Sequence, residues 1–561
     1  ENSAGGVTFT VDKWTRLLRF LVLGTEGGSY YATEQKLTAD NAKSALDCIA
    51  EDGLRVVNLI VEISDAGRAP KNTPALFILA MAAKLGDEAV AGAAYKALPK
   101  VARIGTHLFQ WADAIKAFGG FSSGTQRAIA RWYQTPRRTV DVDLTGDELV
   151  QATAEVQAAH AQWVAMQVAK YQAREGWSHA DLLRLAKPGA KSRRVARDPA
   201  LDKVLNWATG KSDIASVELA AGDASDILWA FEKAKAIGNA GDVTKVHTGE
   251  LVGLINDHGL PRECIPTQYL NEVSVWEALL DNRGYGMPMT AMIRNLGKMT
   301  SIGLIGPMSA ATKVVAARLQ DEDLLRKARI HPLQALVALN TYKGGKGIRG
   351  SLSWAPESQV TNALDAAFYK SFQAVESTGK RWMLALDVSA SMTWANIAGM
   401  PGITPRIGSA AMAMITAATE EEHIITAFSS GSMGVHGNSG IQRVDISPRQ
   451  RLDDVCHKIN QLRAGGTDCS LPMVWALQNK VPVDVFVVYT DNETYFSPTQ
   501  HPVQALDAYK QKMGIDAKLI VAGMTATEFS IADPKRTDNL DVVGFDTAAP
   551  KIMSDFALGL I

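Results

Sequence analysis

Apolar positions over the first 360 or so residues recur at helical spacing, one short run after another. In Thr73-Pro74-ALFILAMAAKLG a capping hydroxyl precedes a proline at the first helical position, and a glycine follows the last apolar turn. THLFQWADAIKAFGG, from Thr106, repeats that grammar. The Ala- and Gln-rich stretch from Thr145 to about Arg174 predicts one long helix. Ser178 then opens SHADLLRLA, with Asp181 placed as its capping-box acceptor. SVWEALLDN, MTAMIRNLGKMT, DEDLLRKAR and PLQALVALNTY predict further helices. No strict sequence period joins them. Many short helices in antiparallel-looking pairs nevertheless imply a stacked helical-repeat array.

Near Ser377 the pattern changes. RWMLALDV (Arg381 to Val388), DVFVVYTD (Asp484 to Asp491) and AKLIVAGM (Ala517 to Met524) are continuous apolar runs of strand length. Helical stretches such as GSAAMAMITAATEEE and LPMVWALQNK lie between them. Buried strands alternating with helices predict a mostly parallel, doubly wound α/β sheet. Its ligand site is expected at the carboxyl ends of the strands. The chain therefore reads as multidomain, with an all-α helical-repeat part over residues 7–365 and a doubly wound α/β domain over residues 366–561.

Composition adds boundaries to this picture. A length of 561 residues exceeds one ordinary core, and 47% hydrophobic with 21% charged residues excludes a largely disordered chain. The longest strongly apolar run, Ala75 to Ala83, is about half of what a bilayer span requires, so no membrane partner is expected. No export signal is read. Cys48, Cys264, Cys456 and Cys469 are scattered without metal-ligand spacing, which suits a reducing compartment and makes the cytoplasm the expected location. From Ala363 onward 16 Lys and Arg stand against 21 Asp and Glu. Of the totals of 58 and 59, that leaves 42 basic against 38 acidic residues before it. A polyanion is expected to prefer the N-terminal part.

The polar residues of the α/β part gather where the predicted strands end. MLALDV runs directly into Asp387-Val388-Ser389-Ala390-Ser391, a carboxylate and two hydroxyls spaced two apart. A hard cation such as magnesium wants oxygen ligands of this kind and keeps several waters. Gly465-Gly466-Thr467-Asp468 and Thr490-Asp491-Asn492 supply further candidates, although Asp and Ser also favour ordinary strand-end turns. Together the three turns resemble the metal-ion-dependent adhesion site of von Willebrand factor A domains. That resemblance implies that Asp387, Ser389, Ser391 and Thr467 coordinate a divalent ion, magnesium foremost, directly or through water, and that Asp491 completes the shell. It also implies an open position that takes a carboxylate from a partner protein.

A closer resemblance spans most of the chain. LRFLVLGTEGGSYYATEQKL (from Leu18), RIGTHLF (from Arg103), RAIARWY (from Arg127), KYQAREGWSHADLLRL (from Lys170) and IRNLGKMT (from Ile293) resemble stretches of the Ro autoantigen family, whose N-terminal module is the TROVE domain. So do KARIHP (from Lys327), ALDAAFYKSF (from Ala363), TGKRWMLALDVSASM (from Thr378), AGGTDCSLPM (from Ala464) and TDNET (from Thr490). The resemblance implies a HEAT-like helical-repeat ring followed by the von Willebrand factor A-like domain. It further implies that single-stranded 3′ ends of misfolded non-coding RNAs enter the central hole and that Y RNA binds the outer basic surface. In bacterial members the Y RNA tethers an exoribonuclease, polynucleotide phosphorylase.

The residues themselves speak to RNA in part. Lys170 and Arg174 are four apart and, in the predicted helix, share one face. The family's RNA-contacting helix maps onto this pair, and where the family often carries a histidine after LLRL this chain has Lys187. A lysine reaches phosphate as a point charge but cannot stack on a base. Arg184, Lys187, Lys191, Arg193, Arg194 and Arg197 follow one another with no acidic residue between them, as a phosphate-tracking surface or a solvated charged loop would. Arg127 and Arg131, also four apart, form a second basic pair. The stretch from Arg137 to about Ala158 has no family counterpart.

An enzyme is not expected. The ten histidines are dispersed, and no Ser-His-acid or Cys-His set is suggested by local motifs. GGKGIRG (Gly344 to Gly350) lacks the spacing and the Lys-Ser/Thr ending of a phosphate loop and reads as the end of a helix. His179 reads as a first-turn helix residue and Cys469 as a small buried thiol. The alternative to an RNA-binding protein is a metal-dependent protein-binding scaffold with no direct RNA role.

Overall fold

The computed structural model describes residues 7–24, 34–136, 146–186, 198–214, 223, 225–241, 243–282, 286–348, 350–372, 375–394, 396–429, 440–462, 465–492 and 500–561. Two compact units result, and they interleave along the chain. One comprises Asp52–Glu62 and Ala75–Val314; the other gathers Glu1–Glu51, Ile63–Pro74 and Val315–Ile561. The cut expected after residue 365 marks a change in sequence grammar, whereas compactness draws the chain's beginning into the α/β unit.

The first unit is helical, and its helices pack as a succession of neighbours. Glu88–Val101 lies on Ser123–Gln134, which lies on His179–Ala186. Gly146–Lys170 packs on Pro199–Ala208 and on Asp226–Asn239, and contacts continue through Lys245–His258 and Val273–Asp281 to Met289–Ser301. Helices packing on others only one to three places away along the chain is the packing of a repeat array. Trp111, Trp132, Tyr133, Tyr269 and Trp276 are fully buried in this unit. The helix-start grammar works as predicted at Ser178. Its Oγ accepts from the Asp181 amide at 3.2 Å, while Asp181 Oδ2 accepts from the Ser178 amide at 3.0 Å.

One predicted element is corrected. The long helix ends at Lys170, and Arg174 lies in a short strand, Ala173–Arg174, paired antiparallel with Trp177–Ser178. The turn between them holds Glu175 and Gly176 at φ 52° and 71°. Positive φ at both central positions is what a two-residue hairpin turn with the right twist requires. Lys170 and Arg174 therefore do not share a helix face.

In the second unit six strands form one sheet. We number them β1 (Trp382–Asp387), β2 (His423–Phe428), β3 (Ile441–Arg443), β4 (Val485–Thr490), β5 (Lys518–Gly523) and β6 (Asn539–Val543). Their order is β6-β5-β4-β1-β2-β3, all parallel except β3, which runs antiparallel to β2. Every residue of β1 and β4 is buried, as expected for strands covered on both faces. The crossover from β1, through the Pro405–Thr419 helix, leads to β2 on one side; the crossover from β4, through Pro502–Met513, leads to β5 on the other. The carboxyl ends of β1 and β4 thus flank a topological switch point, where such sheets place their ligands.

The chain's beginning is built into this unit. Phe9–Thr10 pairs antiparallel with Phe529–Ser530, and Asp12 caps the Lys13–Leu23 helix through bonds from the Trp14 and Thr15 amides. Arg19 on that helix is fully buried. Its guanidinium donates to the carbonyls of Thr527 (2.7 Å) and Phe529 (2.9 Å) and to both carboxylate oxygens of Asp541 on β6 (2.6 Å each).

A second polar joint centres on His331, the N-cap of the Pro332–Lys343 helix. Nδ1 accepts from the Leu333 amide at 3.1 Å, and Nε2 donates to the carbonyls of Arg68 (3.0 Å) and Phe545 (2.9 Å). Burial lowers its pKa from 6.5 to about 4. The unfolded chain therefore binds a proton that the folded one refuses between these values, so this group's contribution is intact above pH 6.5 and is lost as pH falls toward 4. In urea titrations across that window, His331→Asn should flatten the decline of stability with falling pH. An unchanged slope would show that other groups govern it.

Candidate functional site

The oxygen-rich cluster at the ends of β1 and β4 is held by its own backbone. Asp387, the last residue of β1, is fully buried. Its Oδ1 accepts from the Ser389 amide at 2.8 Å and its Oδ2 from Thr490 Oγ1 at 2.8 Å, joining the two strand ends. Ser389 Oγ and Ser391 Oγ stand 3.1 Å apart. The Ala390 amide donates to the Gly465 carbonyl at 3.0 Å, which ties this turn to the one carrying Thr467. Thr467 and Asp491 are both buried, and Thr525 Oγ1 fixes the Asp491 carbonyl at 3.1 Å. Asn492 sits beyond Asp491 at φ 63°. Asp468 is turned to another task, its Oδ1 accepting from the Ser470 amide and hydroxyl.

Burial pushes the Asp387 carboxyl above its ordinary range, against the hydrogen bonds from Ser389 and Thr490 and the field of Arg406. Arg406 is also buried and is spent on carbonyls: it donates to Leu462 O at 2.8 Å, to Ser389 O at 3.3 Å and to Val388 O. It braces the turn from behind. Among the described residues no three His, Cys, Asp or Glu side chains form a metal-holding cluster. A site made mainly of hydroxyls with two carboxylates is a different kind, hard in its donors and dependent on water, as magnesium prefers. The oxygens of Asp387, Ser389 and Ser391, which stand together, suit such an ion, and Thr467 and Asp491 lie buried on the adjoining turns.

The predicted basic residues fall in the helical unit and are not equivalent. Arg127 and Arg131 are exposed on one face of the Ser123–Gln134 helix, opposite the buried Ile129, Trp132 and Tyr133. Lys170 closes its helix with its ammonium 3.6 Å from Glu263 Oε2 and 5.4 Å from the Tyr171 ring centroid. Arg174 is exposed on the hairpin, and Arg184 is exposed with Asp181 Oδ1 at 3.9 Å. Lys187, Lys191, Arg193, Arg194 and Arg197 lie outside the described residues. His179 is buried, 2.6 Å through Nδ1 from Tyr133 Oη, and burial lowers its pKa to about 3. It is a core residue.

Comparison with known proteins agrees with this layout. The TROVE domain family model matches residues 1–218 and 259–343, and that of the Ro60 vWA domain matches residues 381–557. A Deinococcus radiodurans protein named RNA-binding protein RO60 is 38% identical over 561 residues, covering all of this chain and 95% of its own. The chain belongs to the Ro60 family. A Caenorhabditis elegans member of the same name is 34% identical, over all of this chain and 90% of that one. The crystal structure of the D. radiodurans RO (RSR) protein superposes with a TM-score of 0.66 at 37% identity, covering 98% of this chain and all of that one. The Ro60-family architecture is thus a mostly helical N-terminal region followed by a von Willebrand factor A domain with a mixed six-stranded sheet.

Two residues of the site escaped the sequence reading. Thr490 lies on one of the predicted turns, and its role as the partner of Asp387 shows only in the structure; Arg406 lies in a helix whose sequence carries no motif. An arginine opening an otherwise apolar helix, PRIGSAAMAMITAAT, is the only hint of the second.

Proposed function

We propose that this chain is a non-coding RNA-binding protein of the Ro ribonucleoprotein. It takes Y RNA on an exposed basic surface of its helical part and single-stranded 3′ ends of misfolded or decaying RNAs in a cavity of the repeat array. It serves RNA quality control as an adaptor and not as a catalyst. The observation that carries this is the match of both domains, in order and over full length, to two relatives named as RNA-binding proteins. Exposed Arg127, Arg131 and Arg174 support it physically, since guanidinium groups free of the core bind phosphate oxygens in pairs. An exoribonuclease tethered through the Y RNA, and a cytoplasmic location, complete the reading.

At the switch point of the sheet, Asp387, Ser389, Ser391, Thr467 and Asp491 would hold a divalent ion, magnesium foremost. The ion would present a Lewis-acidic position to a partner's carboxylate. The rival reading, a scaffold that acts through this site alone, is separated by one titration. Binding of an RNA duplex with a single-stranded 3′ tail should weaken by roughly 10³- to 10⁵-fold between about 50 and 200 mM salt if six to ten phosphates are engaged. Arg127→Ala with Arg131→Ala should lower the salt slope by about 2, one unit for each lost phosphate contact. Lys170→Ala should cost less than Arg174→Ala, because Glu263 already engages Lys170. Affinity indifferent to salt and to all four changes would leave the scaffold reading.

A further inference from the structure

The strands Ala173–Arg174 and Trp177–Ser178 pair with Arg174 directly opposite Trp177. Directly opposed residues of an antiparallel pair send their side chains to the same side, so a guanidinium and an indole share one face of this hairpin. Next to it, Lys116 on the Gly105–Ala117 helix holds its ammonium 5.9 Å from the Trp177 ring centroid. Phe121 meets the same ring edge-on at 5.3 Å and 69°. Trp177 and Phe121 are partly exposed, while Arg174 and Lys116 are exposed. Trp111, Trp132 and Trp276 of this unit are fully buried, whereas Trp163, Trp177, Trp207 and Trp229 are partly exposed; at Trp177 an exposed lysine lies near the ring and an exposed arginine lies directly opposite on the paired strand. Single-stranded nucleic acid fits this chemistry: its bases stack on aromatic planes while its backbone takes cations.

We propose that Trp177 is a stacking plate for an unpaired nucleobase in the part of a bound RNA's 3′ tail that lies outside the cavity, with Arg174 and Lys116 holding the flanking phosphates. The assignment rests on the RNA-binding reading above. It also supplies the ring that Lys187, a charge without a plane, does not offer. Stacking is tolerant of base identity, so this plate admits a tail of any sequence.

The test uses the full chain and a duplex RNA with a 3′ tail of about eight uridines, a length within the span of known single-strand sites. The same tail is then made with an abasic residue at each position in turn. One abasic position should weaken binding to the wild type by roughly 5- to 150-fold, the effect of one lost stacked base. Trp177→Leu should lose a similar factor on the intact tail and become blind to that abasic position, with its salt slope unchanged. Trp177→Phe should recover most of the affinity. Arg174→Ala should do the reverse, lowering the salt slope while keeping the abasic penalty. No abasic penalty in the wild type, or the full penalty persisting in Trp177→Leu, overturns the stacking role. A wild type that fails to bind the tail in a salt-dependent way overturns the RNA-binding reading itself.

Discussion

Arg19→Ala is expected to destabilise the protein by about 3–5 kcal/mol, the cost of leaving one partner of a buried ion pair without the other. The guanidinium is fully buried, and its loss strands the Asp541 carboxylate together with the carbonyls of Thr527 and Phe529. Among the described residues, Asp541 would retain only the 2.7 Å bond from Ser530 Oγ. Removing both charges with well-packed apolar replacements, Arg19→Met with Asp541→Leu, should restore much of the loss, since burying the pair was itself costly. Chemical denaturation reads both. A loss below about 1 kcal/mol for the single variant would place the pair among those that add nothing measurable.

The second large effect concerns the oxygen cluster. Magnesium at a hundredfold excess over its dissociation constant should stabilise the wild type by about 2.7 kcal/mol, because an ion that binds only the folded state shifts unfolding by mass action. Asp387→Ala should abolish that stabilisation, and Asp387→Asn, which keeps the shape of the side chain, should reduce it strongly. Thermal scans with and without the ion provide the reading, each variant compared with itself so that any loss of intrinsic stability cancels. Equal shifts in wild type and Asp387→Ala would locate the ion elsewhere.

What the sequence disclosed follows from how each segment is buried. β1, β4 and β5 are continuous apolar runs because they are central strands, and all three were legible. β3 is three residues long and β6 carries two half-exposed positions, so neither produces such a run. β2 is interrupted by Thr426 and begins half-exposed at His423, which conceals an interior strand. The hairpin at Arg174 was missed because strands of two residues show no alternation, and the helical period ahead of it was strong. Only Gly176 marked the break. The ligand turns were legible because Asp, Ser and Thr at strand ends form a local pattern. Arg19 and Arg406 were not, since a buried arginine is explained only by partners far away in the chain, here 508 residues for Arg19 and Thr527.

That separation sets an order of events during synthesis. The Lys13–Leu23 helix, with Leu17, Phe20 and Leu21 on the side it later buries, is synthesised long before the strand that receives it, residues 539–543. At about 5–20 residues per second the wait is roughly 25–100 s. For that interval the helix, with its apolar face uncovered and Arg19 unmatched by Asp541, is open to nascent-chain holdases, and a stalled or truncated product would remain so.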